Sequence, residues 1–82
     1  MTTRKKNIAV LGSTGSIGTQ ALDVIRANAA TFSVYALTAN NNADLLIQQA
    51  IEFQPEVVVI ANEFHYQAVK EALSKFPIKV LS

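Results

Sequence analysis

A glycine-rich segment near the start of the chain most constrains its fold. Glycines stand at positions 12, 15 and 18, in the order Gly12-Ser-Thr-Gly-Ser-Ile-Gly18. The residues before them, Asn7–Leu11, form a short apolar run typical of a buried strand. After them, apolar side chains recur at a spacing that predicts one face of a helix, at Ile17, Ala21, Val24 and Ile25. A strand, a glycine-rich turn and a helix in this order indicate a nucleotide-binding α/β unit.

Three further apolar runs predict three further strands. These are Ser33–Thr38, Glu56–Ile60 and Ile78–Leu81. The run Glu56–Ile60 is nearly continuous and rich in β-branched residues, so we expect this strand to be buried on both faces, as in a parallel sheet.

Helical patterns separate the predicted strands. Asn42 is a good N-cap for the second helix, which Pro55 stops. Asn62 is expected to cap the third helix, and Pro77 to end it. The apolar positions expected to face the core are Leu45, Leu46, Ala50 and Phe53 in the second helix and Val69, Leu73 and Phe76 in the third.

The predicted order βαβαβαβ places the chain in the α/β class. Strands that alternate with helices form parallel sheets, and their crossovers are right-handed. We therefore predict a Rossmann-like doubly wound parallel sheet with helices on both faces. A doubly wound sheet normally has about six strands. Residues 1–82 are accordingly expected to be an incomplete N-terminal nucleotide-binding domain of a longer protein.

Composition excludes several classes of function. The chain has no cysteine and one histidine, His65, which excludes a disulfide scaffold, a thiolate metal site and a multi-histidine metal site within it. A net charge of +1 predicts no nucleic-acid partner. No apolar run approaches the roughly 20 residues of a membrane helix, so we expect a cytoplasmic protein. The basic run Arg4–Lys6 precedes the first strand, at the edge away from the glycines, and is interpreted as a solvated terminus.

Each glycine of the loop has a distinct expected role. Gly12 allows a sharp turn out of the strand, Gly15 allows a ligand phosphate to approach the backbone, and Gly18 allows the helix to pack closely. Free N–H groups at the helix start, together with the helix dipole, favour an anion. Hydroxyl donors are added by Ser13, Thr14 and Ser16. The predicted ligand is a pyrophosphate; the alternative is a tight turn without a ligand. A P-loop is not favoured, because no Gly-Lys-Ser/Thr follows.

The end of the second strand favours NADP over NAD. NAD-binding proteins usually place an acid about 20 residues after the glycines to bind the ribose 2′-hydroxyl. At that distance the chain has Thr38 to Asn40 and no carboxylate. Three asparagines, Asn40, Asn41 and Asn42, stand there instead, and their amides could hold a 2′-phosphate. The alternative is a plain turn with left-handed backbone at the first two and a helix cap at the third.

Two segments resemble a known enzyme family. Val10-Leu-Gly-Ser-Thr-Gly-Ser-Ile-Gly18, followed by Leu22-Asp-Val-Ile-Arg26, is similar to the opening of the 1-deoxy-D-xylulose 5-phosphate reductoisomerases. Ala36-Leu37, Asn42 and Glu52-Phe53-Gln54-Pro55 fit the same pattern. The resemblance covers most of the chain and is more specific than the glycine spacing alone.

The resemblance implies an NADPH-dependent enzyme of the non-mevalonate isoprenoid pathway. Such an enzyme rearranges and reduces the sugar phosphate 1-deoxy-D-xylulose 5-phosphate to 2-C-methyl-D-erythritol 4-phosphate, with a divalent metal (Mg or Mn), as a homodimer. By position, the family's cofactor contacts fall on Thr14, Gly15, Ser16, Ile17, Asn40, Asn41 and Asn42. The catalytic, metal-binding and substrate-binding residues are expected beyond residue 82.

Two positions depart from the family's common pattern. Asn40 stands where many members have glycine, and Asn41 where some have lysine or another polar residue. The second change removes a cation near the expected 2′-phosphate.

Semialdehyde dehydrogenases and extended short-chain dehydrogenases share the glycine spacing and remain alternatives, as does a nucleotide-binding domain without catalysis. The first class needs a cysteine nucleophile further along the chain, and the second a Tyr-x-x-x-Lys motif.

Overall fold

The computed structural model describes residues 5–82 and confirms the alternation of strands and helices. The basic-terminus prediction falls partly on Arg4, outside the described residues, while Lys5 and Lys6 are exposed. The elements are β1 Lys6–Val10, α1 Ser16–Ala27, β2 Phe32–Ala39, α2 Ala43–Phe53, β3 Val57–Ile60, a short 3₁₀ turn Glu63–His65, α3 Tyr66–Ala72 and β4 Lys79–Leu81. None of the helices in residues 5–82 is long and apolar enough to cross a membrane.

The four strands form one parallel sheet in the order β1-β2-β3-β4. The pairing of β1 with β2 contains one irregularity: Ile8 pairs with Val34 and Ala9 with Ala36, which leaves Tyr35 as an extra residue. Such a bulge reverses which residues face the core. Val34 and Leu37 are therefore both buried in the core although they are three positions apart.

All three helices of the described chain cover the same face of the sheet. Side chains from α1, α2 and α3 share one core with alternate residues of β3, with the fully buried members Leu22, Leu46, Val58, Ile60 and Leu73. Val57 and Val59 alternate with the buried β3 residues and are only half-buried.

The expectation of helices on both faces is therefore not met within residues 5–82, and β3 is not fully buried on both sides. The strand order explains this, because it advances in one direction. Crossovers of one hand then place every helix on the same side, and helices reach the second face only where the order reverses. The Rossmann-like α/β class itself is confirmed.

The buried stripe of α1 differs from the predicted one. Gly18, Leu22 and Ile25 face the core, whereas Ile17 is 83% and Val24 57% exposed. The helix is rotated because Gly18, which has no side chain, lies against the loop that precedes it. A pattern of apolar residues does not indicate that a glycine packs against backbone, so it predicted that Ile17, and not Gly18, faces the core.

The ends of the other helices follow the predicted signals, with two exceptions. Asn42 caps α2, as predicted, and α2 ends two residues before Pro55 with Gln54 in the left-handed conformation. α3, however, ends at Ala72 and not at Pro77, since the chain continues through i to i+3 turns such as Phe76 N to Leu73 O at 3.0 Å.

The second exception concerns the start of the third helical segment. Asn62 caps the 3₁₀ turn that precedes α3, because its side chain accepts from the Phe64 N–H. Asn62 therefore lies four positions before Tyr66, the first residue of α3.

An exposed ion-pair cluster connects α1 to α2. The Nε and Nη2 atoms of Arg26 both donate to the Glu52 carboxylate, with Nη2 to Oε1 at 2.8 Å. Its Nη1 atom donates to the Asp23 carboxylate at 2.7 Å. The guanidinium carbon also lies 5.2 Å from the centre of the Phe53 ring. The hydrogen bond from Arg26 lowers the pKa of Glu52 below its ordinary value of 4.5, against a smaller opposing effect of burial.

The depressed pKa of Glu52 predicts an acid-dependent contribution to stability. The contribution is complete above pH 4.5 and is lost as the pH falls through the lowered pKa. We expect Glu52→Gln to lower the free energy of unfolding at neutral pH, and the difference from the unsubstituted protein to shrink in acid. Chemical denaturation of the full-length protein from pH 7 to pH 3 measures this. Glu71→Gln, which removes an exposed acid on α3, is the control, and an equal pH dependence in both variants would contradict the assignment.

Candidate functional site

The polar segments singled out in the sequence meet at one edge of the sheet. The glycine loop follows β1, the three asparagines follow β2, and Asn62 follows β3. The carboxyl ends of parallel strands lie at a common edge, and ligands of open α/β sheets bind there. The fold therefore brings together two segments that are more than 20 residues apart in the chain.

The backbone of the glycine loop is held by β2 and α2. The Gly12 N–H donates to the Thr38 hydroxyl at 3.0 Å, and the Ser13 N–H donates to the Thr38 carbonyl at 2.7 Å. From α2, the buried Gln49 amide donates to the Ser13 carbonyl at 2.9 Å. Three hydrogen bonds thus fix a turn in which Gly12 has φ +65°, a conformation that favours glycine. The predicted role of Gly12 is confirmed.

Gly18 is required by close packing, as predicted. A Cβ at this position would lie 2.1 Å from the Gly12 carbonyl oxygen and 2.7 Å from the Ser13 Cα. At Gly15, by contrast, a Cβ would meet only the Gly12 oxygen, at 3.4 Å. The protein itself has room for a side chain at Gly15, so its role in phosphate approach stays a prediction.

The first turn of α1 presents unpartnered backbone donors. Gly15 is the N-cap, no side chain caps the helix, and no acid lies in its first turn. The first N–H groups of a helix have no acceptor within it, and they attract anions. Thr14 is half-buried, while Gly15, Ser16 and Ile17 are exposed. These four predicted contact residues form one continuous surface at the helix start.

The second predicted segment, Asn40–Asn42, lies directly before α2. The Asn42 side chain accepts from the Leu45 N–H at 3.2 Å, so this residue is a cap. The alternative of left-handed backbone at Asn40 and Asn41 is wrong, because Gln54 is the only non-glycine residue with positive φ in residues 5–82. The turn is made by hydrogen bonds instead, including Ala43 N to Asn41 O at 2.8 Å.

A cavity beside Asn41 and Asn42 is lined by one acid and, among the described residues, by no lysine or arginine. An open cavity of about 200 Å³ is lined by Asn41, Asn42 and Asp44 from one side and by His65 from the other. No lysine or arginine of the described chain lines it. The site therefore offers amide donors and the start of α2 to an anion. His65, interpreted from the sequence as a surface residue, is half-buried at this cavity.

Sequence reasoning missed three residues that build the site. Thr38 and Gln49 hold the glycine loop, and Asn62 contacts Asn41. Gln49 lies on the buried side of α2, where an apolar residue is expected, and it is only 6% exposed. The position of Asn62, directly after a strand neighbouring β2, was the available signal for it.

Two polar atoms beneath the loop have no hydrogen-bond partner, the Ser13 hydroxyl and the Gln49 side-chain oxygen. Burying such atoms without a partner costs free energy, so these two atoms lower the stability of the folded protein.

No cluster of three or more possible metal-ligating residues occurs in residues 5–82.

Comparisons with known proteins all lead to one family. The sequence model of 1-deoxy-D-xylulose 5-phosphate reductoisomerase matches residues 8–82. The reductoisomerase of Porphyromonas gingivalis is 66% identical over 76 residues, which are 93% of this chain and 20% of that protein. That of Bacteroides thetaiotaomicron is 66% identical over 77 residues, 94% of this chain and 20% of that protein. The chain thus spans about a fifth of the length of the curated relatives it matches.

Solved structures of reductoisomerases are also similar to this chain. A reductoisomerase from Zymomonas mobilis in complex with NADPH matches with a TM-score of 0.91 at 37% identity, over 95% of this chain and 21% of that chain. A DOX-P reductoisomerase in complex with NADPH, fosmidomycin and magnesium matches with a TM-score of 0.88 at 29% identity, over 94% of this chain and 19% of that chain. The fold of the described residues is therefore that of the corresponding segments of these enzymes.

The two glycines with different surroundings predict different effects of one substitution. Gly18→Ala forces a methyl group into the loop backbone and should destabilise the full-length protein by about 1–3 kcal/mol or more. Gly15→Ala meets only an ordinary contact and should cost less than about 1 kcal/mol. Denaturant unfolding of both variants makes the comparison, and equal losses of stability would contradict the close-packing role of Gly18.

Proposed function

This chain belongs to the 1-deoxy-D-xylulose 5-phosphate reductoisomerase family, and we propose that residues 1–82 form the NADPH-binding part of such an enzyme. We propose further that the segment is an incomplete Rossmann-like domain, which is consistent with its spanning about a fifth of the relatives' length. Family membership does not favour the alternatives of a semialdehyde dehydrogenase, an extended short-chain dehydrogenase or a nucleotide-binding domain without catalysis.

The pyrophosphate of NADPH is proposed to bind at the start of α1. Thr14, Gly15, Ser16 and Ile17 surround the uncapped first turn, where backbone N–H groups and the helix dipole favour negative charge. The fit is supported by the rigid loop beneath them, which Thr38 and Gln49 hold by hydrogen bonds. A preformed loop needs little ordering when it binds, so more of the contact energy is retained as affinity.

The adenosine 2′-phosphate is proposed to bind at Asn40, Asn41 and Asn42. No carboxylate follows β2 directly, so nothing there selects a free ribose 2′-hydroxyl. Amide N–H groups donate to phosphate oxygens, and the start of α2 adds favourable partial charge. Asn42 caps α2 through its side-chain oxygen, which leaves its amide hydrogens for a ligand.

The whole protein is proposed to rearrange and reduce 1-deoxy-D-xylulose 5-phosphate to 2-C-methyl-D-erythritol 4-phosphate. The bound nicotinamide would supply the hydride, and the task of the present residues is to bind and orient it. The proposal includes a divalent metal and the sugar phosphate held by residues beyond this segment, and a cytoplasmic homodimer. A structurally similar DOX-P reductoisomerase was solved in complex with NADPH, fosmidomycin and magnesium, which supports the proposed cofactor and metal.

One observation carries the proposal most directly. The start of α1 has neither a side-chain cap nor an acid, although both would stabilise an isolated helix. α2 has both, in Asn42 and Asp44. A helix left without these stabilising groups beside a rigid glycine loop is suited to an anionic ligand.

The 2′-phosphate assignment predicts a preference between dinucleotides. The full-length protein should bind NADPH at least about tenfold more tightly than NADH, because hydrogen bonds to a charged phosphate each contribute roughly 1.5–3 kcal/mol. Fluorescence titration with each cofactor measures the ratio. The preference should weaken at high salt, where charge interactions are screened. Equal affinities would remove the role of the three asparagines.

An added acid at the start of α1 should have opposite effects on stability and binding. Ser16→Asp should stabilise the cofactor-free protein by about 0.3–1 kcal/mol through the helix dipole. The same charge should repel the pyrophosphate and weaken binding of NADPH and NADH alike, by about tenfold or more. Gln20→Glu, an exposed site one turn further along α1, is the matched control. Unchanged affinity in Ser16→Asp would place the pyrophosphate elsewhere.

A further inference from the structure

The side chain of Asn62 makes two hydrogen bonds of opposite polarity. Its oxygen accepts from the Phe64 N–H at 3.0 Å, which caps the 3₁₀ turn Glu63–His65. Its nitrogen donates to the side-chain oxygen of Asn41 at 2.8 Å. Asn62 therefore joins the end of β3 to the segment where the 2′-phosphate is proposed to bind.

The cap determines the orientation of both amides. A side-chain amide has one oxygen and one NH₂ group. Because the Asn62 oxygen faces the Phe64 N–H, only its NH₂ group can face Asn41. Asn41 must then present its oxygen to Asn62, which leaves both of its N–H donors for a ligand. The backbone cap thus decides which end of the Asn41 amide a ligand meets.

The backbones of both residues are fixed independently. The pairing of β2 with β3 continues past the strands, with the Ala61 N–H donating to Ala39 at 2.9 Å and the Asn62 N–H to Asn40 at 3.0 Å. The Asn41 carbonyl accepts from the Ala43 N–H at 2.8 Å. The freedom that remains at Asn41 is that of its exposed side chain, and this is what Asn62 restricts.

The orientation matters because of the charges nearby. Asp44 lines the same cavity as Asn41, and no lysine or arginine of residues 5–82 does. Within residues 5–82, the groups that can attract a dianionic phosphate to this cavity are oriented amide donors, the start of α2 and the His65 imidazole. An Asn41 amide turned the other way would direct its oxygen, and not its N–H donors, toward the cavity that Asp44 also lines, and would repel the phosphate.

We propose that Asn62 is a positioning residue that sets the preference for NADPH by holding the Asn41 amide with its donors toward the 2′-phosphate. This inference rests on the proposed function. It adds a specificity-determining contact between the end of β3 and the segment proposed to bind the cofactor, made by a residue outside the proposed cofactor contacts.

Asn62→Asp tests the proposal by reversing the orientation. Aspartate is a good cap, so the 3₁₀ turn should persist. Its carboxylate accepts but does not donate, so Asn41 must turn its NH₂ group toward it and its oxygen toward the phosphate. The ratio of NADPH to NADH affinity of the full-length protein should fall about tenfold, as expected for a lost hydrogen bond to a charged group. Affinity for NADH, which lacks the 2′-phosphate, should stay unchanged and serves as the folding control.

Asn62→Ser supplies a neutral comparison. Serine keeps the cap but is too short to reach Asn41, so the amide is released and not inverted. The NADPH preference should fall by about threefold, the effect of losing a hydrogen bond of roughly 0.7 kcal/mol. A preference unchanged in both variants, with that of the unsubstituted protein intact, would overturn the role of Asn62 and leave the proposed function standing.

A double-mutant cycle separates orientation from charge. If Asn62 acts through Asn41, Asn62→Asp should have little further effect in an Asn41→Ala background. An undiminished loss of NADPH preference there would show that the new charge acts on the phosphate directly, and would overturn the proposal. Equal affinity of the unsubstituted protein for NADPH and NADH would overturn the proposed function and this inference together.

Discussion

The contact between Gly18 and the backbone of the preceding loop underlies the arrangement of the site. A methyl group there would lie 2.1 Å from the Gly12 carbonyl oxygen, so α1 can reach its position only because Gly18 lacks a side chain. This contact rotates α1 until Leu22 and Ile25 face the core and Ile17 faces solvent. It also directs the uncapped start of α1 beside the loop. One absent side chain thus determines both the packing of a helix and the exposure of its donors.

Polar contacts then connect the loop to the second half of the site. Thr38 holds Gly12 and Ser13 from the end of β2, and Gln49 holds Ser13 from α2. α2 begins directly after the three asparagines that are proposed to bind the 2′-phosphate. The two proposed phosphate sites therefore share a rigid connection through β2 and α2. Part of its cost is visible in the buried Ser13 hydroxyl and Gln49 oxygen, which have no partner. Natural proteins retain such atoms where the geometry of a site requires them.

Local signals predicted the elements well where the causative residue lies within the element. Asn42 caps α2 and Gly12 adopts positive φ, as the residue types imply. Prediction failed where a contact from elsewhere decides the outcome. Ile17 was expected in the core because a periodicity count gives no weight to a glycine that packs on backbone. The end of α3 is a different case, because local turns decide it: Pro77 was expected to end the helix, but the chain leaves it at Ala72 through i to i+3 hydrogen bonds. Gln49 was overlooked because a polar residue was not sought at a buried helix position.

The sequence by itself determined the α/β class, the glycine loop and the positions of both polar segments, because strand and helix periods and the needs of a tight turn are local properties of the chain. The resemblance to the reductoisomerases was likewise carried by contiguous residues. Only the tertiary structure decided that the helices of residues 5–82 share one face, since this depends on strand order. It also decided that Asn62 meets Asn41, at a separation of 21 residues. Such contacts arise from the register of neighbouring strands, which no local pattern specifies.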